Sequence, residues 1–216
     1  LADGPGPRYG QAIAYDSQSD RVVLFGGIGS VPEDSSGDSV LGDTWIFDPA
    51  VGDWEQAEVP TAPGPRVFSD MVYDPQTDLV YLFGGMSETN LGDAGLWAFD
   101  VDANEWTLIE TVDGPDPRWM HQLDLDVPSG KLVMTGGRVR TETGAVDNPI
   151  VRDEATDEVW LYDTVAGSWE AGPPLPVAIF AHASVGTDDG VVAWIFGSLH
   201  RFDLDTGTWL NLDESQ

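Results

Sequence analysis

Residues 65–106 read PRVFSDMVYDPQTDLVYLFGGMSETNLGDAGLWAFDVDANEW, and the spacing within this stretch decides the fold. A Gly pair begins eighteen residues after Arg66, and an aromatic-Asp step then leads, six residues on, to Trp106. Between these points, short β-branched and apolar runs alternate with turns rich in Asp, Gly, Pro and Ser. Such runs are typical of short β-strands joined by tight turns. The stretch therefore predicts four strands that form one small antiparallel sheet.

The same arrangement occurs four times, in copies that start 52 to 61 residues apart. In the fourth copy, Ile179 and Gly197 keep the eighteen-residue spacing without the Arg or the second Gly. Four-stranded units that repeat at about this period are typical of propeller blades. The repeated residues are Arg8, Arg66 and Arg118, then Gly26, Gly27, Gly84, Gly85, Gly136 and Gly137, and finally Trp54, Trp106, Trp169 and Trp209.

The combination of Pro-Arg, a Gly pair and spaced Trp residues resembles the kelch repeat. The resemblance implies an all-β fold, a β-propeller of kelch type with four blades of four antiparallel strands in this chain. It also implies that the first strand of each blade lines a central channel and that loops on both faces are available for binding. We predict a single kelch-type propeller over residues 1–216. Its expected blades cover residues 7–59, 65–111, 117–171 and 176–213.

The sequence leaves the number of blades in the complete ring undecided. Residues 1–8 align with residues 111–118, a connector between two blades, so a preceding blade is expected to end near Leu1. Three arrangements are compatible with this: a piece of a larger ring with further blades in the same parent chain, a compact four-bladed ring, or a homodimer completing one ring. An open arc exposes apolar blade faces, so we expect it to be unstable as a monomer.

We interpret the repeated residues as scaffold. A Gly pair at a strand end permits positive φ or close approach of another backbone. The motif Trp side chains are expected to pack between blades, where each adds a large apolar area to the core. The three motif Arg side chains are expected to pair with acidic loop residues, namely Asp43, Asp93 and Asp157.

The best candidates for binding lie where the repeats differ. The link from the Gly pair to the next motif Trp is longest in the third copy, as a loop over residues 138–158, and almost absent in the fourth. That loop holds Arg138, Arg140 and Arg152, three of the eight arginines in the chain. Guanidinium groups recognise anions well, so these three are predicted to contact a ligand or partner. The alternative is that they pair with acids of the same loop.

The charge of the chain excludes one class of partner. With Lys+Arg 9 and Asp+Glu 38, the formal net charge is −29. A nucleic-acid partner is excluded because phosphate binding needs clustered cations, and membrane insertion is not expected because no apolar run approaches 18 residues. So acidic a composition suits a saline environment, and we expect an extracellular or cell-surface location. A secreted acidic protein whose aspartates form turns is the alternative.

Two further features invite a chemical interpretation. His121 lies three residues after a motif Arg; it is kept among the candidate contact residues, although a hydrogen-bonded scaffold His is the alternative. The first link, residues 28–42, contains the acidic run 33–38 but lacks the regular spacing of a calcium loop. We therefore predict no cofactor and no metal ligand, with calcium or another divalent cation in the Asp-rich loops as the alternative.

No catalytic motif is visible. The chain lacks Cys, which excludes the Tyr-Cys cross-link of kelch-like copper-radical oxidases, and it has no G-x-S-x-G or H-E-x-x-H motif. No catalytic residue is therefore assigned. The sequence favours a non-enzymatic module that binds proteins or glycans or has a structural role. The alternative is a carbohydrate-active propeller enzyme, similar to a sugar epimerase or hydrolase, that uses channel carboxylates or His121.

Overall fold

The computed structural model describes residues 4–30, 38–89, 92–145 and 148–213. These residues form twenty β-strands and no helix, and the strands make four main antiparallel sheets with one additional three-stranded sheet. The chain divides into two compact units, Leu1–Glu110 and Thr111–Gln216, and each unit holds two of the main sheets. The prediction of an all-β, kelch-type propeller with four blades is confirmed.

The first blade has one strand more than the repeat predicts. Its strands pair in the order β1-β3-β4-β5, with β2 also paired to β3. They are β1 (Arg8–Tyr9), β2 (Ala12–Asp16), β3 (Arg21–Ser30), β4 (Asp38–Asp48) and β5 (Asp53–Gln56).

The strand β3 does not stop at its Gly pair, as the repeat suggests, but continues to Ser30. The pairing of β3 with β4 shifts register between Phe25 and Gly27. Gly26 and Gly27 both have positive φ, at 66° and 98°. Such a backbone bulges a strand without ending it, so the pairing resumes beyond the glycines.

The second blade is a simple meander in the order β6-β7-β8-β9. The turn from β6 to β7 is held by Asp74, whose carboxylate accepts a hydrogen bond from the Gln76 backbone N–H at 2.9 Å. This is the local bond that favours Asp at turn starts. The strands are β6 (Asp70–Asp74), β7 (Leu79–Phe83), β8 (Leu96–Asp100) and β9 (Glu105–Ile109).

The third blade consists of a four-stranded sheet and an additional sheet built on its long link. The main sheet has the order β11-β12-β15-β16, and the additional sheet has the order β10-β13-β14. The strands are β10 (Arg118–Trp119), β11 (Gln122–Asp126), β12 (Lys131–Thr135), β13 (Arg138–Ala145), β14 (Asn148–Ala155), β15 (Val159–Asp163) and β16 (Ser168–Ala171).

The fourth blade again has four strands in chain order, and a very short turn replaces the long link. Its β18 and β19 pair up to Ile195 and Ser198, so only Phe196 and Gly197 lie between the paired ends. The strands are β17 (Ala183–Thr187), β18 (Gly190–Ile195), β19 (Ser198–Asp203) and β20 (Thr208–Asn211).

The core of each unit lies between its two blades. In the first unit, Ala12 and Ala14 of β2 are buried in one cluster with Met71 and Tyr73 of β6. In the second unit, a buried cluster joins side chains of the third and fourth blades: Val133, Val159, Leu161, Leu175, Ile179, Val191, Ala193, Ile195 and Phe202.

The motif Trp residues pack on the aromatic residue of the preceding aromatic-Asp step. The ring centroids of Phe99 and Trp106 are 4.8 Å apart, and those of Phe202 and Trp209 are 5.1 Å apart. Trp106 also lies between blades, because its ring is 5.4 Å from Phe25 and its indole N–H donates to the Thr44 hydroxyl at 2.9 Å. Trp106 therefore contributes to the junction between the first and second blades.

Candidate functional site

The motif Arg side chains are buried ion-pair partners. The Arg8 guanidinium donates to both carboxylate oxygens of Asp43, at 2.7 and 3.0 Å, and to the Gly26 carbonyl at 3.1 Å. Arg66 repeats the arrangement with Asp93, in an ion pair of 3.2 Å. These side chains lie within the protein and tie each Gly pair to the link that follows it, which is a structural role.

The third motif Arg selects a different acid from the one expected. Arg118, fully buried, pairs with Glu158 at 2.5 Å and not with Asp157. Glu158 lies two residues before a motif Trp, and the Trp160 indole N–H donates to the same carboxylate at 3.1 Å. The Asp157 side chain is exposed, and its backbone carbonyl accepts from Leu175. Counting back from the motif Trp would have identified the correct acid.

The Gly pair joins neighbouring blades through the backbone. The Gly27 N–H donates to the Arg66 carbonyl at 2.9 Å, and the Gly137 N–H donates to the Ile179 carbonyl at 2.9 Å. A Cβ added to Gly26 would lie 2.6 Å from the Arg66 carbonyl oxygen, so any larger residue there would push the blades apart. The glycines are required by this close approach.

The link of the third blade is a regular β-hairpin, where the sequence suggested a loop. Strands β13 and β14 pair in continuous register from Arg138↔Ala155 to Ala145↔Asn148. We call residues 138–155 the third-blade hairpin. The period-two alternation of Val139 and Thr141 with charged residues was the signal that could have predicted it. One edge of β13 pairs with β10, and β14 forms the outer edge of this sheet.

Two of the three candidate arginines are used within the protein. Arg140 donates to both carboxylate oxygens of Asp153, at 2.8 and 3.1 Å, and this hydrogen bonding holds the pKa of Asp153 below its usual value. Arg138 donates to the Asp153 backbone carbonyl at 2.9 Å, and its guanidinium lies 4.5 Å from the centroid of the Phe180 ring. Internal pairing therefore accounts for Arg138 and Arg140.

Arg152 remains accessible. Its closest carboxylate contact is with Glu154 at 3.8 Å, and both side chains are more than half exposed. The neighbouring Ile150 and Val151 are also exposed, so the outer strand of the hairpin carries two aliphatic side chains and one cation in sequence. Side chains alternate along a strand, so Ile150 and Arg152 share one face of β14 and Val151 lies on the other. We take this strip along the outer edge, residues 150–152, as the candidate contact site.

His121 does not belong to any surface site. Its side chain is 1% exposed, and burial, reinforced by Arg118 and His182, lowers its pKa to about 3. The neighbouring His182 contacts the Thr135 hydroxyl at 2.9 Å, and burial lowers its pKa to about 4. Because a buried side chain cannot meet a partner, His121 is withdrawn from the candidate contact residues.

A half-buried acid in the second unit, Asp124, was not predicted from the sequence. Burial raises the pKa of Asp124 to about 6, although the Ser184 hydroxyl donates a hydrogen bond to its carboxylate. The Ser184 backbone N–H also donates to the Gln122 side-chain oxygen at 3.3 Å. The signal was the polar residue at the centre of the inner strand QLDLD, where a blade junction is usually apolar.

Metal binding and membrane insertion find no support in the part of the chain that the structure describes. Within residues 4–30, 38–89, 92–145 and 148–213, no three His, Cys, Asp or Glu side chains are grouped to hold a metal ion. The acidic run 33–38 was considered for a divalent cation. All of it except residue 38 lies outside the described residues. No helix among the described residues is long and apolar enough to cross a membrane.

Comparison with known proteins agrees with the fold. The family model of the KLHDC2/KLHL20/DRC7 Kelch-repeats domain matches residues 29–216. Mei4-dependent protein 6 of Schizosaccharomyces pombe is 25% identical over 163 residues, 66% of this chain and 22% of that protein. Host cell factor homolog hcf-1 of Caenorhabditis elegans is 25% identical over 179 residues, 76% of this chain and 22% of that protein.

A third relative is much longer. The dynein alpha chain of the flagellar outer arm of Chlamydomonas reinhardtii is 31% identical over 119 residues, 54% of this chain and 2% of that protein. The chain thus spans about a fifth of the length of the first two relatives and far less of the third. With a family model covering most of its length and the repeated Arg, Gly and Trp geometry described above, the chain belongs to the kelch-repeat family.

Proposed function

We propose that this chain is a non-enzymatic protein-interaction module that contacts its partner through β14 of the third-blade hairpin. The observation that carries the proposal is the exposed strip Ile150, Val151 and Arg152 on an outer strand. The bidentate pair between Arg140 and Asp153 links the two strands of the hairpin and so holds β14 in place. The family supports the same function, since kelch domains generally mediate protein-protein contacts.

The chemistry of the strip describes the partner surface. On one face of the strand, Ile150 favours an apolar surface and Arg152 favours a carboxylate beside it, and Val151 favours an apolar contact on the other face. The outer edge of β14 also offers backbone groups to an extended segment, which can add to the sheet as a further strand. An extended partner segment that carries an apolar and an acidic residue two positions apart, with an apolar residue between them, meets these requirements.

A site-specific photo-crosslinking experiment tests the proposal. Val151 is replaced by p-benzoylphenylalanine in the full-length protein in its own cells, and Val165, an exposed turn residue of the same blade, serves as the matched control position. We expect one protein to be crosslinked from position 151 and not from position 165. Equal crosslinking from both positions, or crosslinking from position 165 alone, would contradict the assignment of the hairpin.

Binding measured with the purified partner then tests the residues. Arg152→Glu should weaken binding by about tenfold or more, because it reverses the charge at the contact. Val165→Glu should leave the dissociation constant unchanged. If both variants bind as the wild type does, the contact lies elsewhere on the domain.

We also propose that the protein functions at the cell surface or outside the cell, in a saline medium. The support is the net charge of −29, with Lys131 as the only lysine. Self-repulsion of this size is screened in molar salt, where the Debye length falls to about 3 Å. The thermal unfolding midpoint should therefore rise as KCl increases from about 0.1 to 2 M. A flat or falling midpoint would contradict the saline setting, and resistance of the protein to protease on intact cells would contradict the location.

Glycan binding and carbohydrate turnover remain rival functions. The enzyme hypothesis relied in part on His121 as a catalytic residue, and His121 is buried. We therefore expect no turnover of sugar substrates. Saturable binding to a glycan array that persists in Arg152→Glu would favour the glycan-binding alternative. We likewise retain a single propeller over residues 1–216 as a proposal, and one cooperative unfolding transition is its expected signature.

A further inference from the structure

The charges on the outer strand of the third-blade hairpin follow one another in a definite order. Strand β14 pairs with β13 through one edge, and its other edge is the outer edge of that sheet. Because side chains alternate along a strand, Ile150, Arg152 and Glu154 lie on one face of β14. That face therefore presents an apolar residue, a cation and an anion at every second position along the outer edge.

Arg152 and Glu154 are both available to a second molecule. Their side chains are 64% and 54% exposed, and the guanidinium nitrogen and the carboxylate oxygen are 3.8 Å apart. This distance is too long for a good hydrogen bond. An exposed ion pair of this kind contributes little to stability, so a partner can separate the two charges at small cost and pair with each of them.

The charge on the opposite face of β14 is already compensated. This face holds Val151, Asp153 and Ala155. Both carboxylate oxygens of Asp153 accept hydrogen bonds from Arg140 on the neighbouring strand. Asp153 therefore does not call for a cation on the partner, and Val151, which is 47% exposed, is the residue that a partner contacts on this face.

The chain itself limits the length of the available edge. Just beyond β14, the Thr156 N–H donates to the Gly137 carbonyl at 3.0 Å, and the Thr156 carbonyl accepts from the Ile179 N–H at 3.1 Å. The backbone at this end is therefore occupied, and a strand added to the outer edge must lie before Thr156. Residues 150–154 all have exposed side chains and form the part of the edge that such a strand can contact.

We propose that Glu154 is a further residue of the candidate contact site, and that this site selects an extended partner segment by the order of its charges. The inference rests on the proposed function, because it takes the partner segment to add to the outer edge of β14. A basic residue of the segment lies opposite Glu154, an acidic one opposite Arg152 and an apolar one opposite Ile150. A second apolar residue lies opposite Val151.

The sheet also indicates the direction of the added strand. Both strand pairs of the additional sheet are antiparallel, and antiparallel pairing is slightly more stable per residue than parallel pairing. An antiparallel segment meets β14 from residue 154 back to residue 150. From its N-terminus, the segment therefore reads basic, any residue, acidic, apolar, apolar.

The order of the charges can be separated from their number. A formal net charge of −29 attracts any basic segment to this protein, wherever it binds. That attraction depends on the composition of the segment and not on its order. Opposite charges directly across two strands stabilise the pairing, and like charges there destabilise it. Peptides of one composition and different order therefore report on the site itself.

Disulfide exchange with synthetic peptides tests the proposal, because the chain has no cysteine of its own. In the 216-residue chain, Val151→Cys then provides a single thiol at the centre of the strip. Three peptides share one composition: TKTECIT has the proposed order, TETKCIT has the charges exchanged, and TICETKT has the proposed order in the reverse chain direction. The fraction of protein in mixed disulfide at equilibrium with β-mercaptoethanol, measured by mass spectrometry, ranks the peptides.

We expect TKTECIT to be favoured over TETKCIT by about tenfold at about 0.1 M KCl, since the second peptide puts two like-charge pairs in place of two opposite-charge pairs. Adding Arg152→Glu and Glu154→Arg to Val151→Cys should reverse this preference. Val165→Cys, on an exposed turn, is the control position and should not distinguish the peptides. All of these side chains are exposed, so the variants should fold, which circular dichroism checks.

Four results would overturn the proposal. They are equal exchange of TKTECIT and TETKCIT, a preference that the double charge exchange leaves unchanged, a preference for TICETKT, and a wild-type chain that sediments as a dimer but as a monomer after Arg152→Glu. The last of these would assign the edge to a second copy of the chain. A photo-crosslink from position 151 without discrimination between the peptides would refute only the charge order, and discrimination without a crosslink would refute only the proposed function.

Discussion

The two blade junctions described within the units use the same repeat positions for different chemistry. Between the first and second blades, Ala12 and Ala14 lie in an apolar cluster with Met71 and Tyr73. Between the third and fourth blades, the inner-strand position of Ala14 holds Asp124, which accepts a hydrogen bond from Ser184. The repeat thus determines where a junction lies and not what holds it together. The apolar junction should depend on shape, and the polar junction should also depend on pH.

The largest effect is expected from breaking the apolar junction. Trp106→Ala removes a buried ring that contacts Phe25 and Phe99 and leaves the Thr44 hydroxyl without its indole donor. The free energy of unfolding should fall by about 3 to 5 kcal/mol, as for other buried aromatic truncations. Urea denaturation at pH 7 measures it. Trp209→Ala, in a partly exposed ring of the fourth blade, should cost less than half as much.

The polar junction should respond to pH through Asp124. Its pKa in the folded chain is about 6, above the ordinary value of 3.8, so the folded state holds a proton that the unfolded state releases. Stability from this group is therefore complete below pH 3.8 and is lost as the pH rises through 6. Asp124→Asn does not titrate, and its stability relative to the wild type should rise by about 2 kcal/mol between pH 4 and 7.

The same measurement at the matching position of the apolar junction shows whether the pH dependence is specific to the polar junction. Ala14, the residue of the first blade at the repeat position of Asp124, carries no titratable group, so Ala14→Gly should cost the same at pH 4 and pH 7. If Asp124→Asn is also independent of pH, the two junctions do not differ in the way described.

The histidines of the polar junction should act in the opposite sense. The pKa of His121 is about 3 in the folded chain and near 6.5 when unfolded, so its contribution to stability is complete above pH 6.5 and is lost as the pH falls. His121→Gln should reduce the loss of unfolding free energy between pH 7 and 5 by about 2 kcal/mol. Gln is the residue at this repeat position in the first blade, Gln11. Ser69→Ala, at the same position in the second blade, should leave the pH dependence unchanged.

The scaffold could be predicted from the sequence because its signals are local and repeated. Eighteen residues from Arg to the Gly pair and six from Asp to Trp define strand lengths and turns, and each copy supports the others. The pairing of Arg8 with Asp43 follows from the same register. Predictions were less accurate where one copy differs from the others. For Arg118 the predicted partner, Asp157, was wrong, because Arg118 pairs with Glu158.

What lies beyond the repeat could not be predicted in this way. Asp124 and Ser184 are 60 residues apart, and only the packing of two blades brings them together. The third-blade hairpin depends on pairing between its own two strands, which no other copy repeats. When the hairpin forms, Arg138 and Arg140 bond to Asp153 and are no longer free to bind a partner. Only Arg152, of the three arginines that the sequence suggested as contacts, stays accessible. The exposed strip of the candidate site is thus defined by the fold more than by composition.

The smallest expected effect separates a position within a junction from the same position outside one. Tyr73 donates to Asp78 at 2.8 Å in the apolar junction, and the exposed Tyr15, at the same repeat position in the first blade, donates to Asp20 at 2.9 Å. Tyr73→Phe should cost about 1 kcal/mol, since a half-buried hydrogen bond is lost, whereas Tyr15→Phe should cost less, since its hydrogen bond is exposed to water. Urea denaturation of both variants at the same protein concentration measures the difference. Equal costs would mean that burial against a neighbouring blade adds nothing to this bond.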